Sequence, residues 1–310
     1  MPNTIPIPIP NHPPLRIAIS GASGLVGSRL TDLLQQNGHH VDRLVRGKTD
    51  QDDEIAIWEE KFEESKLDGL NAVIHLAGKP IADKRWTDEV KEQIRDSRIE
   101  KTRLLCHRLA AMKTPKPATL LCASASGIYG EGGEQSLTEE SPAGEGFLAT
   151  VGKQWEEACQ PAVEAGIRVV HLRFGILLSP AGGALEKMLL PARLCGGRLG
   201  SGRQWWSWLA MDDALAAIAH CLFNDEIDGP VNFVSPSPVR NAEFAETLGK
   251  VLGRPAIFPA PAFALRIALG EMADALLLNS QKIVPKKLQA TGYSFLYPEL
   301  EPALRHLLKR

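Results

Sequence analysis

A chain of 310 residues with 44% hydrophobic and 23% charged side chains can bury a substantial core and has the make-up of an ordinary globular protein. Its formal net charge of −2 removes the electrostatic case for a nucleic acid or an anionic membrane as partner. Cys106, Cys122, Cys159, Cys195 and Cys221 are odd in number, scattered and without a C-x-x-C, which argues against a disulfide frame or a zinc site and for free thiols in a reducing cytoplasm.

In chain order, residues 1–14 carry six prolines and no basic n-region or continuous apolar stretch, so they read as a flexible, extended tail and not as a signal peptide. No apolar run in the chain reaches bilayer-spanning length.

The first predicted strand is RIAIS (16–20). Directly after it comes GASGLVG, at the start of a helical pattern, LVGSRLTDLLQQNG. Glycines in this position suit a dinucleotide. Gly21 permits the tight turn, Gly24 lets the backbone approach a pyrophosphate, and Gly27 allows the helix to pack closely on the strand. Ser23, Leu25 and Val26 complete the loop, and the helix N-terminus offers N–H groups and partial positive charge to phosphate.

The second strand, VDRLV (41–45), decides between the two nicotinamide cofactors. An NAD binder places Asp or Glu about 20 residues past the loop, to accept from the ribose 2′-OH. Here the strand runs into Arg46 and Lys48, with no acid before Asp50. A guanidinium pairs with a 2′-phosphate where a carboxylate would repel it, so NADP(H) is expected over NAD. The competing reading of Arg46 and Lys48 is a solvated basic turn.

Further strands are expected at IAIW (55–58), AVIHLA (72–77), ATLLCAS (118–124) and RVVHLRF (168–174), with a long charged helix between Thr87 and Met112. Continuous apolar strands separated by helices imply a doubly wound parallel α/β sheet covered on both faces. After residue 178 the pattern changes. VNFVS (231–235) reads as one more strand of the sheet, and the remainder as a small, mostly helical C-terminal cap. The expected division is 15–178 with 206–235 for the cofactor domain and 179–205 with 236–310 for the substrate-side cap. There is no internal repeat.

With GASGLVG, DGLNAVIHLAG, SASGIYG, LRFGILLSP and WSWLAMDDALAAI in the same order, the sequence resembles the extended short-chain dehydrogenase/reductase superfamily. GKPIADKRWT, DSRIEKTR, GGALEKMLLP, GSGRQWWSW and PAPAFALRIALGEMADALLL resemble one atypical branch, the YfcH-type epimerase family proteins, with SulA-like plastid-division relatives. The resemblance covers nearly everything from Leu15 to the C-terminus. It implies a Rossmann domain, an NADP-type cofactor also touching Leu76, Ala77 and Gly78, and no particular substrate.

In that superfamily a tyrosine is the general acid/base, a lysine four residues later lowers its pKa and holds the nicotinamide ribose, and a fifth-strand serine binds the reacting oxygen. Carried over, the lysine is Lys153 and the serine is Ser126 or Ser124, while the tyrosine position is Ala149, which has no proton to give. A superfamily asparagine position is Arg98. Tyr129 is the nearest replacement acid, its other reading being a loop aromatic packed against the cap. His75 reads as structural, Asp212 as a helix N-cap, and Glu131, Glu134 and Glu145 as solvated. Trp205, Trp206 and Trp208 with Arg203 read equally well as an aromatic pocket wall or as glue between cap and main domain. No G-x-S-x-G elbow or H-E-x-x-H supports serine hydrolysis or a metal.

Two functions follow. One is an NADP-dependent oxidoreductase or epimerase acting on a small carbonyl or sugar-like substrate. The other is an NADP-binding regulatory protein, related to cell division, that has lost the reaction. Ala149 favours the second, because a placed proton donor is worth about 10²–10⁴-fold. The intact glycine loop favours the first. Oligomeric state is not legible.

Overall fold

The computed structural model describes residues 7–49 and 51–310. Seven parallel strands form the central sheet: β1 (Arg16–Ser20), β2 (His40–Leu44), β3 (Glu54–Ile55), β4 (Ala72–His75), β5 (Thr119–Ala125), β6 (Arg168–Phe174) and β7 (Gly229–Phe233). Their order across the sheet is β7-β6-β5-β4-β1-β2-β3. The order reverses at β1, which pairs with β2 on one side and β4 on the other, so a crevice opens beyond the carboxyl ends of β1 and β4.

The period of two along each strand builds two cores. Ile17 and Ile19, with Ile74 and Leu121, pack on Leu30 and Leu34 of α1 (Gly27–Gln36) and on the helix Met211–Phe223. Ala18, Val73, Leu120 and Cys122 point the other way, onto Leu105 and Leu109 of α2 (Asp88–Ala111) and Trp155 of α3 (Phe147–Glu157). This is the two-faced burial that the unbroken apolar strands anticipate.

Several boundaries differ from the pattern. Residues 55–58 hold only the end of a two-residue edge strand, because the backbone turns back at once through Ile57 N to Ile55 O and Glu59 N to Ala56 O. The fourth strand stops at His75, where the Leu76 and Ala77 N–H groups turn to the Ser20 side chain. The second begins one residue earlier than expected, and the seventh two. The helix expected to be capped by Asp212 starts at Met211, with Ala210 at its cap, and Asp212 instead bonds His306.

Of the Pro-rich tail, residues 1–6 lie outside the described residues, as does Asp50. From Ile7 the tail is held: Ile7 and Ile9 pack on the main core and the His12 ring lies 5.1 Å from that of Phe223.

Beyond the sheet, helices Gly183–Arg193, Asn241–Leu252, Ala262–Leu269 and Leu300–Leu308 alternate with short strand pairs such as Gly196–Leu199 with Phe258–Ala260. The three tryptophans join this part to the rest. Trp208 Nε1 donates to Ser237 O, Trp206 Nε1 to Leu277 O and Trp205 Nε1 to Glu134. The Arg240 guanidinium and the Lys282 ammonium both lie against the Trp205 ring, at 4.0 and 4.8 Å. Among the described residues no helix is long and apolar enough to cross a membrane.

Candidate functional site

The glycine loop lies where β1 ends and α1 begins. Gly21 takes φ +70°, and a Cβ there would come within 3.0 Å of Ala77 N and Leu76 C, so the loop lies directly against the exit of β4. Gly24 N donates to Gly21 O at 2.9 Å, closing the turn. Ser23 and Gly24 are exposed, and the only atom within 4 Å of a Cβ built on Gly24 is Gly21 O. Val26 caps α1 without a side-chain hydrogen bond, and the first turn contains no acid. Open backbone beside an uncapped, acid-free helix N-terminus fits a phosphate-bearing ligand. Arg46 and Lys48, past the end of β2, are exposed and have no hydrogen bond or ion pair to another described residue. They fit a further phosphate. Leu25, in the same loop, packs against Gly182 at the start of the helix Gly183–Arg193, so that helix reaches the loop.

Behind the loop is a buried hydrogen-bond chain. Ser20 Oγ lies 2.6 Å from His75 Nδ1, His75 Nε2 lies 3.0 Å from Thr102 Oγ1, and Trp155 Nε1 donates to the same Thr102 oxygen at 2.9 Å. Ser20 Oγ already accepts from Leu76 N and Ala77 N. Its own proton therefore goes to His75 Nδ1, which leaves the neutral imidazole with its proton on Nε2. Burial holds the His75 pKa down, to about 4. His75 is a structural link between β1, β4, α2 and α3, as its position at the strand end suggests.

Among the described residues no hydrogen bond or ion pair joins the superfamily's catalytic positions to one another. The face of α3 that meets the end of β5 carries Leu148, packed on Gly127, and Gly152, whose Cβ would come within 3.0 Å of Ile128 Cβ. Lys153, one residue on, is turned outward: its side chain is 65% exposed and its nearest charged partner is Glu157 at 3.9 Å. Ala149 is 2% exposed. Ser124 is buried and donates to Glu156 Oε1 at 2.7 Å, while Ser126 donates to Gln281 Oε1 at 3.3 Å.

Of its two readings, Tyr129 fits a packed aromatic better than a free replacement acid. It is 3% exposed, donates to Asn232 Oδ1 at 2.7 Å and accepts from Arg173 Nη1 at 2.8 Å. Arg173 forks onto both oxygens of Glu156 at 2.8 Å. Burial raises the phenol's pKa, and the adjacent Arg173 only partly offsets that. For Glu156 burial also acts upward, but the hydrogen bonds from Arg173 prevail and the carboxylate stays ionised. This is a closed internal network, with its hydroxyl already committed.

Sequence reasoning noted Arg98 only as a replacement. In the structure its guanidinium lies beside Gly78, past the end of β4: a Cβ on Gly78 would lie 3.5 Å from its Cζ. The signal was the i, i+4 pair Arg98 and Thr102 in DSRIEKTR, one face of α2. A groove of about 400 Å³ bordered by Arg95, Glu100, Arg103 and Glu157 lies on the outer side of α2 and α3 and includes no residue of the glycine loop. No cluster of three potential metal ligands occurs among the described residues.

Comparison with known proteins gives the same frame. Residues 17–234 match the NAD dependent epimerase/dehydratase family, and residues 260–307 match a domain of unknown function, DUF1731. The epimerase family protein YfhF of Bacillus subtilis is 40% identical over 301 residues, covering 95% of this chain and 98% of that protein. A chloroplastic SDR39U1 homolog of Arabidopsis thaliana is 35% identical, covering 95% and 87%. The crystal structure of human epimerase family protein SDR39U1 with NADPH superposes with a TM-score of 0.87 at 31% identity, covering 95% of this chain and 99% of that one.

Proposed function

We propose, from the premise that the chain belongs to the NAD-dependent epimerase/dehydratase family, that it is an NADP(H)-binding protein whose cleft is not built for tyrosine–lysine proton transfer. Members of this family bind NAD(P); the preference for NADP(H) is the finer part of the reading. The observation that carries it is the pairing of an open, acid-free α1 N-terminus with Arg46 and Lys48 at the end of β2. NADPH bound in the human relative supports the same choice. The Gly21–Gly27 loop holds the pyrophosphate, Arg46 and Lys48 the 2′-phosphate, and Leu76, Ala77 and Gly78 border the cofactor from β4. When bound, the nicotinamide can supply or accept a hydride.

What the chain adds on the proton side is little. Ala149 has no proton, so Lys153 has no phenol one turn before it to act on, and Tyr129 is tied to Asn232 and Arg173. The geometry therefore favours a binding or regulatory protein over a superfamily-type epimerase. A second reading, reduction of a small carbonyl or sugar-like substrate with the proton drawn from water, is favoured by the isolated cation Arg98 beside the same crevice. In either case residues 15–178 with 206–235 form the cofactor part and 179–205 with 236–310 close its substrate side. Five free thiols fit a cytoplasmic location.

Calorimetric titration with NADPH and NADH tests the reading, followed by NADPH oxidation against a carbonyl panel. Tight NADPH binding without turnover supports the binding protein, turnover supports the second reading, and equal affinity for the two cofactors sinks the NADP(H) assignment.

A further inference from the structure

Arg98 lies on α2, and its Nη1 donates to Ile94 O at 3.1 Å and reaches Ser97 Oγ at 3.5 Å. Among the described residues no carboxylate pairs with it. Its guanidinium stacks on the Trp155 ring at 5.1 Å, and Trp155 is itself fixed by Thr102 and, through it, by His75 and Ser20. The residue is part-buried, yet the atoms around the guanidinium are dense enough to push its pKa down to about 10 through desolvation, with no opposing charge to offset this. It remains a cation at neutral pH.

An uncompensated, desolvated charge is costly, and other internal arginines of this chain avoid that cost. Arg173 forks onto Glu156, and Arg168 is met by three backbone carbonyls and Asp225. Arg98 has one firm carbonyl contact, an aromatic platform and a glycine beside it. Gly78, against which the guanidinium lies, follows Leu76 and Ala77, on which the glycine loop packs. The guanidinium thus rests on a Trp155 ring that buried hydrogen bonds hold in place, beside Gly78 on the border of the crevice the glycine loop opens.

We infer that Arg98 is the anion-holding side chain of this crevice, receiving the oxyanion of a bound small molecule in a charge-assisted, bidentate contact over the Trp155 platform. The role rests on the cofactor reading above, since the crevice is the one assigned to NADP(H). A phosphate oxygen of the cofactor and a carboxylate of a second, anionic ligand share this chemistry.

The test uses full-length protein and three variants: Arg98→Met, Arg98→Lys and, as a check on packing, Trp155→Phe. NADPH is titrated into each, and malonate is then titrated into both the free and the NADPH-loaded forms. Removing the charge in Arg98→Met is expected to weaken at least one of these by roughly tenfold or more. Arg98→Lys should recover part of the loss because it keeps charge but not the fork. Loss of NADPH affinity assigns the oxyanion to the cofactor. Loss of malonate binding with NADPH affinity intact assigns it to a second ligand. If Arg98→Met binds both as the wild type does, with only its melting temperature changed, Arg98 is a packing residue and the inference is overturned. If Arg98→Met does not fold, Arg98→Lys and Trp155→Phe carry the test, and unchanged affinities in both overturn it. Should wild-type protein bind no NADPH, the cofactor reading fails by itself, and malonate binding to the free protein still decides for or against Arg98.

Discussion

A Cβ placed on Gly27 would sit 2.1 Å from the carbonyl oxygen of Gly21. The first turn of α1 is pressed onto the end of β1, and no rotamer can relieve a clash between two backbones. Gly24, three residues earlier, has only Gly21 O within 4 Å of its Cβ, at 3.1 Å, and faces outward. The two glycines therefore separate folding from binding. Gly27→Ala should cost at or beyond the upper end of the roughly 1–3 kcal/mol typical of overpacking. Gly24→Val should cost less stability than Gly27→Ala, because Gly21 O need give only a few tenths of an ångström, while abolishing NADPH binding, since its side chain occupies the space of the pyrophosphate. Denaturant unfolding and a cofactor titration on both variants check this, and a Gly24→Val protein with wild-type affinity would move the dinucleotide site elsewhere.

Arg46→Ala should weaken NADPH by the roughly 1.5–3 kcal/mol of one charge-assisted contact and leave NADH nearly unchanged. Because Arg46 is exposed, the NADPH advantage should also shrink as salt is raised. Titrations at low and high ionic strength read both effects, and equal losses for the two cofactors would contradict the assignment.

The parts legible in the sequence are those that local pattern dictates. Apolar strands of period two, spaced by helices, yield a parallel sheet, and three glycines between a strand and a helix yield a phosphate loop. What escaped depends on which face of an element packs. The spacing from Ala149 to Lys153 matches a superfamily pair, but a spacing holds for any rotation of the helix. The rotation is set by Leu148 on Gly127, Gly152 on Ile128 and the buried Trp155. Tyr129 stood open between an acid and a packed aromatic because its partners Asn232 and Arg173 are distant in sequence. The alternating isoleucines of the tail carried a signal that the prolines obscured: Ile7 and Ile9 have a core to pack on.

Tyr129→Phe removes a hydroxyl that serves two buried partners, leaving Asn232 Oδ1 without its donor and Arg173 Nη1 with only the 3.3 Å contact to Glu139 O. A loss of about 1–3 kcal/mol of stability is expected, with NADPH affinity unchanged. Denaturant unfolding gives the first quantity and titration the second. A Tyr129→Phe protein of wild-type stability that loses a measurable turnover would instead make Tyr129 the acid.

His75 makes stability depend on pH with a definite sign. Its folded pKa of about 4 lies below the ordinary 6.5, so between these values the unfolded chain binds a proton that the folded chain refuses. Stability should therefore be flat in this respect above pH 6.5 and fall as pH drops from 6.5 towards 4. The total over that window is on the order of 3 kcal/mol for a fully buried imidazole. Glu156, whose pKa is lowered, adds its own loss only below the ordinary carboxylate range. Urea unfolding at pH 7, 6 and 5 should show the slope, and His75→Asn should reduce it, the remainder coming from His39, His171 and His220, whose pKa values burial also lowers. An unchanged slope in the variant would shift the effect to another histidine.

Lys153 and Ala149 decide whether any superfamily chemistry survives on α3. If Lys153 held the nicotinamide ribose, Lys153→Ala would weaken NADPH and remove turnover. With its side chain 65% exposed and paired only loosely with Glu157, the expected outcome is an affinity within about twofold of wild type, as for a surface substitution. Restoring the tyrosine should not help either. Ala149 is 2% exposed, so Ala149→Tyr forces a phenol into filled space, at the roughly 1–3 kcal/mol or more that overpacking costs. Both variants should therefore show no gain in NADPH oxidation, and Ala149→Tyr should unfold at lower denaturant. The opposite pair of results, a Lys153→Ala protein that no longer binds NADPH and a stable Ala149→Tyr protein with faster turnover, would mean that α3 rotates when the cofactor binds and brings the superfamily's face into the crevice.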